Sequence, residues 1–343
     1  MVELGDRLVA VHGDGGPLAL SIDGLPHDSA LDVVVDGRRA LGVHTLPPPP
    51  GRELCRFATV SDIHIGDGWT FGILPKVRDP GGAADPPVPR ALRAALSELA
   101  AWGAQRIVAK GDLTHHGHPA EWAGAAELLS EPGLPVVAAC GNHDVRAEPS
   151  HGRAIFAAAG IELAAGDIVV HDLPGVRLIV ADVTIAKRHP GSYRGIRDAL
   201  LDAAASASGP VVLAQHHQLQ RMPLPTHWPP GVLGPESGRF LRALAEANPA
   251  TLLTSGHNHR NRARRAGPLL LTEVGSTKDY PGVWAGYVVH EGGIRQVVRR
   301  VEAPAVLRWT ESTKAALFGI WGRWSPGRLS DRCITHPWPD RAA

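Results

Sequence analysis

Arg106-Ile107-Val108-Ala109-Lys110-Gly111-Asp112-Leu113-Thr114 is the stretch from which the fold is read. Its apolar, partly β-branched centre has the character of a short buried strand. The strand stops at a glycine, and a carboxylate follows at once. A single aspartate in that position is ordinarily a helix cap or a turn residue. Here it has company at the ends of other short apolar runs: Ser61-Asp62-Ile63-His64, Gly141-Asn142-His143-Asp144, Gln215-His216-His217 and Gly256-His257-Asn258-His259.

The chain has 343 residues, enough for a full hydrophobic core. Its 44% hydrophobic and 20% charged content is that of an ordinary globular protein. A formal net charge of +1 gives no electrostatic footprint for nucleic acid or an anionic membrane. Cys55, Cys140 and Cys333 have no paired spacing, which disfavours a disulfide scaffold or a thiolate zinc site and suits a reducing compartment. Residues 1–6 lack a basic segment followed by an apolar one, so no signal peptide is expected. No apolar run approaches the ~18 residues of a membrane span. These features together give a cytoplasmic expectation.

Residues 1–53 stand apart. Asp14-Gly15, Asp23-Gly24 and Asp36-Gly37 lie beside short apolar runs, a hairpin signal. We read a small antiparallel β-unit closed by Pro47-Pro48-Pro49-Pro50. It either covers a sheet edge of the main domain or forms a separate recognition module. From residue 54 to 303, strands alternate with helices. Strands are expected over 57–61, 106–110, 135–139, 176–181, 211–215, 251–255 and 269–274. Helices are expected over 89–102, 119–129, 150–158, 194–207 and 236–247, with Pro89 and Pro119 suited to helix starts. Such alternation predicts an α/β architecture, in which ligands gather beyond the carboxyl ends of the strands. The Gly/Pro/Asp-rich stretch 66–87 and the Pro-rich stretch 218–235 are candidate covers over the site. Residues 304–343 form a C-terminal extension with Trp309, Trp321, Trp324 and Trp338 and an amphipathic piece near 314–321. Packing against the main domain is its expected role; a lid or dimer contact is the alternative.

Asp62 and His64 are two residues apart, as are His257 and His259. In extended chain such pairs project to one side, so each pair is expected to aim at one point. Carboxylates, imidazoles and one amide oxygen make an oxygen–nitrogen donor set without thiolate. That set suits Mn, Fe, Zn, Co or Ni and disfavours Cu(I) or iron–sulfur clusters. Seven candidate ligands exceed one tetrahedral ion but fit two ions if a carboxylate bridges. Two metals ~3.5–4 Å apart are a recurrent device for in-line displacement at phosphorus.

Asp-x-His, Gly-Asp, Gly-Asn-His-Asp, His and Gly-His-x-His, in this order, resemble the calcineurin-like metallophosphoesterases, and all five blocks are intact between residues 57 and 289. The resemblance implies a four-layer α/β/β/α sandwich with two metals at one edge of its paired sheets. It implies one metal held by Asp62, His64, Asp112 and His259, and a second by Asp112, Asn142, His216 and His257. His143 would face the scissile group, either stabilising the pentavalent state or protonating the leaving oxygen. Asp144 would orient a histidine. A metal-bridging hydroxide would attack phosphorus in line, and the centre would carry about +1 to attract a phosphate.

Within the family, Gly111-Asp112-Leu113-Thr114 with Gly117, and Pro135-Val136-Val137 leading to Gly141-Asn142-His143-Asp144, look like the bacterial class III cyclic-nucleotide phosphodiesterases. The protein Ser/Thr phosphatases carry a Gly-Asp-x-Val-Asp-Arg-Gly block that Leu113-Thr114-His115-His116 does not match. The reading is therefore hydrolysis of a small phosphodiester, with cyclic nucleotides among the candidates. A phosphomonoesterase on the same centre is the nearest alternative. A non-catalytic scaffold would be expected to lack ligands, and none is missing. A homo-oligomer is left open. His115, His116 and His118 line the pocket or form a solvated turn, whereas His151, His171, His189, His227, His290 and His336 are expected at the surface or satisfied. Arg260, Arg262, Arg264 and Arg265 are expected on a solvated face. Stacking of a nucleobase would fall to a Trp, such as Trp69 or Trp284, or to a His.

Overall fold

Ile107–Lys110, Val136–Ala139, Val211–Gln215 and Thr251–Ser255 are buried at every position, which is the pattern of strands covered on both faces. In this computed structural model, which describes residues 7–12, 18–23, 25–35, 37–148, 150–222 and 228–339, they are inner strands of two stacked sheets.

The strands in chain order begin with β1 (Arg7–His12), β2 (Leu18–Asp23), β3 (Ala30–Val35), β4 (Arg38–His44) and β5 (Glu53–Val60). Two short ones follow, β6 (Thr70–Phe71) and β7 (Val77–Arg78), then β8 (Ile107–Lys110), β9 (Val136–Ala139) and β10 (Glu162–Ala164). Next come β11 (Ile168–Leu173), β12 (Val176–Ala181), β13 (Val211–Gln215), β14 (Thr251–Ser255), β15 (Arg262–Ala266) and β16 (Leu269–Glu273). The last are β17 (Val283–His290), β18 (Gly293–Arg300) and β19 (Cys333–Pro337). The helices are α1 (Pro87–Ala101), α2 (Pro119–Ser130), α3 (Ser150–Ala158), α4 (Arg197–Ala205), α5 (Gly234–Ala247), α6 (Pro304–Thr313) and α7 (Ile320–Trp324).

One sheet has the order β10-β9-β8-β5-β17-β18-β19 and the other β11-β12-β13-β14-β16-β15. β5, β8 and β9 run parallel, as do β12, β13, β14 and β16, so their carboxyl ends share an edge within each sheet. Between the sheets lies a dry layer that includes Val108, Val180, Val212, Leu252 and a stacked Phe57–Tyr287 pair with centroids 4.8 Å apart. Helices α1, α2, α3 and α6 cover the first sheet through Leu92, Trp122, Phe156 and Val306. Helices α4 and α5 cover the second through Leu200, Phe240 and Leu244. This is the four-layer α/β/β/α sandwich that the resemblance implied.

The expected strands and helices are present, with ends shifted by up to about four residues. Strands β6, β7, β10, β11, β15, β17, β18 and β19 were not anticipated. β18 shows why: Arg295, Gln296, Arg299 and Arg300 are all buried, so charge interrupts the hydrophobic pattern of a central strand. Burial is tolerated because Arg300 pairs with Glu311 and Arg299 lies over Trp284 at 5.5 Å. The amphipathic piece expected near 314–321 is instead a turn. α6 ends at Thr313, and Leu317, Phe318 and Gly319 are left-handed (φ 52°, 54° and 81°) before α7 starts.

Of the expected hairpins, Asp14-Gly15 lies outside the described residues, although the strands flanking it, β1 and β2, pair antiparallel. β3 and β4 pair around Gly37, with Asp36 outside the described residues. β2 pairs with β1 and β3 with β4, so Asp23 closes the β1–β2 ladder opposite Arg7 rather than opening a hairpin between β2 and β3, and Gly24 lies outside the described residues. Leu25, Leu31, Val33 and Val43 pack against Val297, Leu329 and Cys333 at the edge of the first sheet. The four prolines run along that edge rather than free of it: the Pro50 carbonyl accepts the Gly292 N–H at 2.9 Å and the Pro47 carbonyl the Thr335 hydroxyl at 2.6 Å. All three cysteines are buried, and no disulfide joins them. Among the described residues no helix is long and apolar enough to cross a membrane.

Candidate metal centre and catalytic pocket

Five loops at the carboxyl ends of β5, β8, β9, β13 and β14 carry the candidate ligands to one edge of the sandwich. Asp62, His64, Asp112, Asn142, His216 and His257 are buried, and His259 is nearly so. The expectation that each i, i+2 pair converges through extended backbone is incorrect. Asp62, His64, Asp112, His257 and His259 all adopt left-handed backbone, with φ between 49° and 74°. A strand that continued straight would carry its side chains past the sheet edge. A left-handed residue folds the chain back at once, at a steric cost that the surrounding hydrogen bonds must offset. Those bonds are present. Asp62 and His64 donate their N–H groups to the carbonyls of Gly111 (3.1 Å) and Asp112 (2.8 Å), and His257 N–H points at the Asp62 carboxylate (3.0 Å). Gly141 and Gly256 permit the close approach: a Cβ on Gly141 would collide with Asp112, and one on Gly256 with Ser61 and Asp62.

The partners of each imidazole reveal which nitrogen keeps its lone pair. His216 Nδ1–H donates to the Lys110 carbonyl (2.8 Å) and His257 Nε2–H to the Pro230 carbonyl (3.3 Å). His216 Nε2 and His257 Nδ1 are left facing each other at 3.0 Å. His259 Nδ1–H donates to Asp279 (2.6 Å), which leaves Nε2 toward Asp62 Oδ1 at 3.4 Å. Asp112 Oδ2 lies 3.5 Å from His64 Nε2 and 3.4 Å from His216 Nε2, between the two groups. Neither ring nitrogen of His64, nor Asn142 Oδ1, has a hydrogen-bond partner among the described residues, although all three atoms are buried. Each such orphan costs about 1–3 kcal/mol unless something answers it. Bare nitrogens, carboxylates and an amide oxygen aimed at a common space call for positive charge. Burial works against a charge on His216, yet Asp112 beside it pushes that imidazole up to about 9, so Nε2 takes a proton where no other cation answers Asp112. The Asp112 carboxyl, despite burial, is held well below its usual range by His216, His64 and His143. The donor set thus fits cations, and its oxygen–nitrogen chemistry fits divalent transition metals. The atoms of Asp62, His64 and His259, and those of Asp62, Asp112 and His216, lie within 4.8 Å of one another. His217 joins His216 and His257 in a similar group, but the contact with Asp112 is made by His216.

Around these residues lies a ring of supporting groups. Asp144 does not orient a histidine as expected. Its carboxylate accepts from Leu113 N–H (3.1 Å), Thr114 N–H (2.8 Å), the Thr114 hydroxyl (2.7 Å) and Gly141 N–H (2.7 Å), so it clamps the Asp112 loop to the Asn142 loop. Burial and the Asp112 charge push it up to about 7. The residue that orients a histidine is Asp279, which holds His259 and also accepts the Trp321 indole N–H (3.2 Å). His143 donates Nδ1–H to the His115 carbonyl (2.8 Å) and accepts from Arg146 Nη2 at Nε2 (2.8 Å). A carbonyl can only accept and a guanidinium only donate, so the ring is neutral with a fixed tautomer. Burial, aided by Arg146, lowers its pKa to about 4. Lys278 forms a 2.6 Å ion pair with Asp67. Sequence reading missed Arg146, Lys278 and Asp279. The last two follow the carboxyl end of parallel strand β16, where the strand-end rule already pointed.

Residues 55–261 match the family model for calcineurin-like phosphoesterases. The chain belongs to this family. Among curated proteins it is 30% identical over 166 residues to a probable cyclic nucleotide phosphodiesterase of Synechococcus sp., covering 45% of this chain and 57% of that protein. It is 23% identical over 163 residues to another so named from Psychrobacter arcticus, covering 46% and 58%. The chain thus spans under three-fifths of the length of these relatives. Among solved structures, GAP50, the anchor in the inner membrane complex of Plasmodium, shares the fold with a TM-score of 0.54 at 11% identity, over 85% of this chain and 91% of that one.

In this calcineurin-like chain the metal edge opens into a cavity of about 570 Å³. His64, Asp112, Asn142, His143, His257 and His259 line it together with Lys278 and His115. Its apolar lining comes from the three stretches suspected as covers: Phe71 from 66–87, Trp228 and Pro229 from 218–235, and Leu317, Ile320, Trp321 and Trp324 from the tail. Pro223, Pro225 and His227 lie outside the described residues. Packing is the role of Trp309, which is buried and donates to the Lys278 carbonyl at 2.6 Å, and of Trp338. Trp321 and Trp324 are wall residues instead. Trp284 is buried in the core, and Trp69 sits under Arg78 at 5.7 Å; neither lines the cavity. His189 is exposed, within the surface-or-satisfied expectation, and also lines this cavity and a smaller one of about 190 Å³ beside Asn142, with Arg146, Lys187 and Arg188. His116 and His118 are exposed at the start of α2. Arg264 pairs with Glu273 at 2.9 Å and Arg260 lies over Trp324 at 5.0 Å, so neither faces open solvent.

Proposed function

We propose that this chain hydrolyses phosphodiesters at a centre of two divalent ions. The observation that supports the reading is Asp112, whose Oδ2 is set between His64 Nε2 (3.5 Å) of one sheet and His216 Nε2 (3.4 Å) of the other. Asp62, His64, Asp112 and His259 would hold one ion, and Asp112, Asn142, His216 and His257 the other. Mn, Fe, Zn or Co suits these donors. Such a pair supplies Lewis acidity and a water acidified toward neutrality for attack at phosphorus.

The chain's own residues supply the rest. Asp279 fixes the ring of His259, and the carbonyls of Lys110 and Pro230 fix those of His216 and His257. Each holds a lone pair in place before any ion arrives, which lowers the reorganisation needed on binding. Arg146, anchored on His143, and Lys278, anchored on Asp67, are cationic donors beside the centre. His143 is neutral, and its Nδ1–H is committed to a carbonyl. Of its two candidate roles, this favours holding a donor toward developing charge over protonating the leaving oxygen. A diester rather than a monoester is favoured by a cavity that continues well beyond the ligands along an apolar wall, and by the names of the curated relatives. A monoesterase on the same residues is the second reading.

Hydrolysis of bis-p-nitrophenyl phosphate and p-nitrophenyl phosphate should be compared with Mn²⁺ present, using Asn142→Ala and His143→Ala as controls. Faster turnover of the diester, reduced in both variants, is the expected result. Turnover of the monoester alone would move the assignment to a phosphatase. No turnover in protein found empty by metal analysis would favour the scaffold.

A further inference from the structure

Large apolar side chains normally leave water, and a cluster of them left exposed beside a pocket marks something that covers it. Around the mouth of this cavity Ile73 is 74% exposed, Phe318 78% and Ile320 60%. Two loops bring them together. Phe318 N–H donates to the Leu74 carbonyl at 2.6 Å, and the Phe71 and Trp321 rings lie 5.7 Å apart. Leu317 and Phe318 are both held left-handed, a conformation that bulky residues avoid, just before Ile320 and Trp321 enter the cavity lining. The apolar surface runs inward from this rim: Leu317, Ile320, Phe71 and Trp321 line the same cavity as the candidate ligands. It is also registered to them, because Asp279 binds Trp321 and the ligand candidate His259 with its two oxygens.

Resting on the phosphodiesterase reading, we propose that the substrate is amphiphilic: a phosphodiester with a long apolar chain that lies along this wall and out over the rim. A flat ring placed on Trp321 and Trp324 would leave Ile73, Phe318 and Ile320 in water. A flexible chain covers all of them and leaves the phosphate at the metal edge. The tail after residue 304 is then the part of the molecule that selects the ester group.

The test compares methyl and octyl p-nitrophenyl phosphate, each below its micelle concentration. Water adds to phosphorus, the bond to the p-nitrophenyl oxygen breaks, and the alkyl phosphate and p-nitrophenol leave. We expect kcat/KM at least tenfold higher for the octyl ester, since roughly two newly buried methylenes suffice for a factor of ten. Within Ile320→Ser, and within Phe318→Ser, the octyl-to-methyl ratio should fall toward one; an internal ratio is insensitive to the fraction of folded protein. Octylphosphonate should quench tryptophan fluorescence at concentrations at least tenfold below methylphosphonate, and Ile320→Ser should remove that difference. Equal kcat/KM for the two esters in the unaltered protein overturns the proposal. So does a ratio near one in a dimer that Phe318→Ser dissociates, which would make the rim an interface between copies. If neither ester is hydrolysed, the phosphodiesterase reading fails, and the phosphonate titration alone decides whether the wall binds a chain.

Discussion

A buried carboxylate is costly unless donors or positive charge answer it, and three at one edge of the sandwich are answered differently. Asp62 takes the His257 N–H and the Ser61 hydroxyl at 2.6 Å. Asp112 takes the His143 N–H at 2.8 Å and turns its other oxygen toward His64 and His216. Asp144 is fully engaged by backbone donors and Thr114, and so has a positioning role. Asp144→Asn tests this. Whichever way the amide is turned, its NH₂ meets a backbone N–H, from Thr114 on one side or from Leu113 and Gly141 on the other. The two ligand loops should then separate. Mn²⁺ affinity measured by calorimetry should fall about 10–100-fold, and the urea midpoint should fall with it. Unchanged affinity would show that Asp144 does not set the Asp112–Asn142 geometry.

At the scale of elements, helix α1 is tied to the first sheet by a polar contact inside an apolar layer. Glu98 accepts the Trp284 indole N–H (3.2 Å) and the Glu302 N–H (2.7 Å), and burial pushes its carboxyl up to about 7. Between the ordinary carboxyl range and pH 7 the folded chain therefore keeps a proton that the unfolded chain releases. Stability from this group is full at low pH and is lost as pH rises through that window, with a slope of up to ~1.4 kcal/mol per pH unit. Denaturant melts between pH 5 and 7 should show this slope, and Glu98→Gln should remove it; an identical slope in the variant would contradict the assignment. The elements best read from sequence were those whose burial matches a simple pattern. β12 and β13 are apolar almost throughout, and Pro119 starts α2 as expected. β18 was missed because its burial depends on arginines answered by Glu311 and Trp284, which no local period encodes. The left-handed backbone of the ligands was missed because aspartate and histidine adopt positive φ too seldom for the sequence to signal it; only the glycines beside them hint at the crowding.

At the scale of the whole molecule, each sheet supplies part of the site, so the donors converge only when the sandwich closes. The ligand candidates were legible because each stands one to four residues beyond a strand, an arrangement the sequence displays directly. Asp279 and the aromatic wall were not, since Trp228, Trp321 and Trp324 reach the cavity from separate covers and share no spacing with the ligands. Neutral His143 was equally hidden, because Arg146 and the His115 carbonyl decide its tautomer through contacts rather than order. The central claim is that two ions, bridged through Asp112, make the diesterase. The most direct test is the rate of bis-p-nitrophenyl phosphate hydrolysis as Mn²⁺ is added in known equivalents to metal-free protein. The expected rate rises to a break at two equivalents per chain and stays near background in Asp112→Asn. A break at one equivalent, or full activity in that variant, would contradict it.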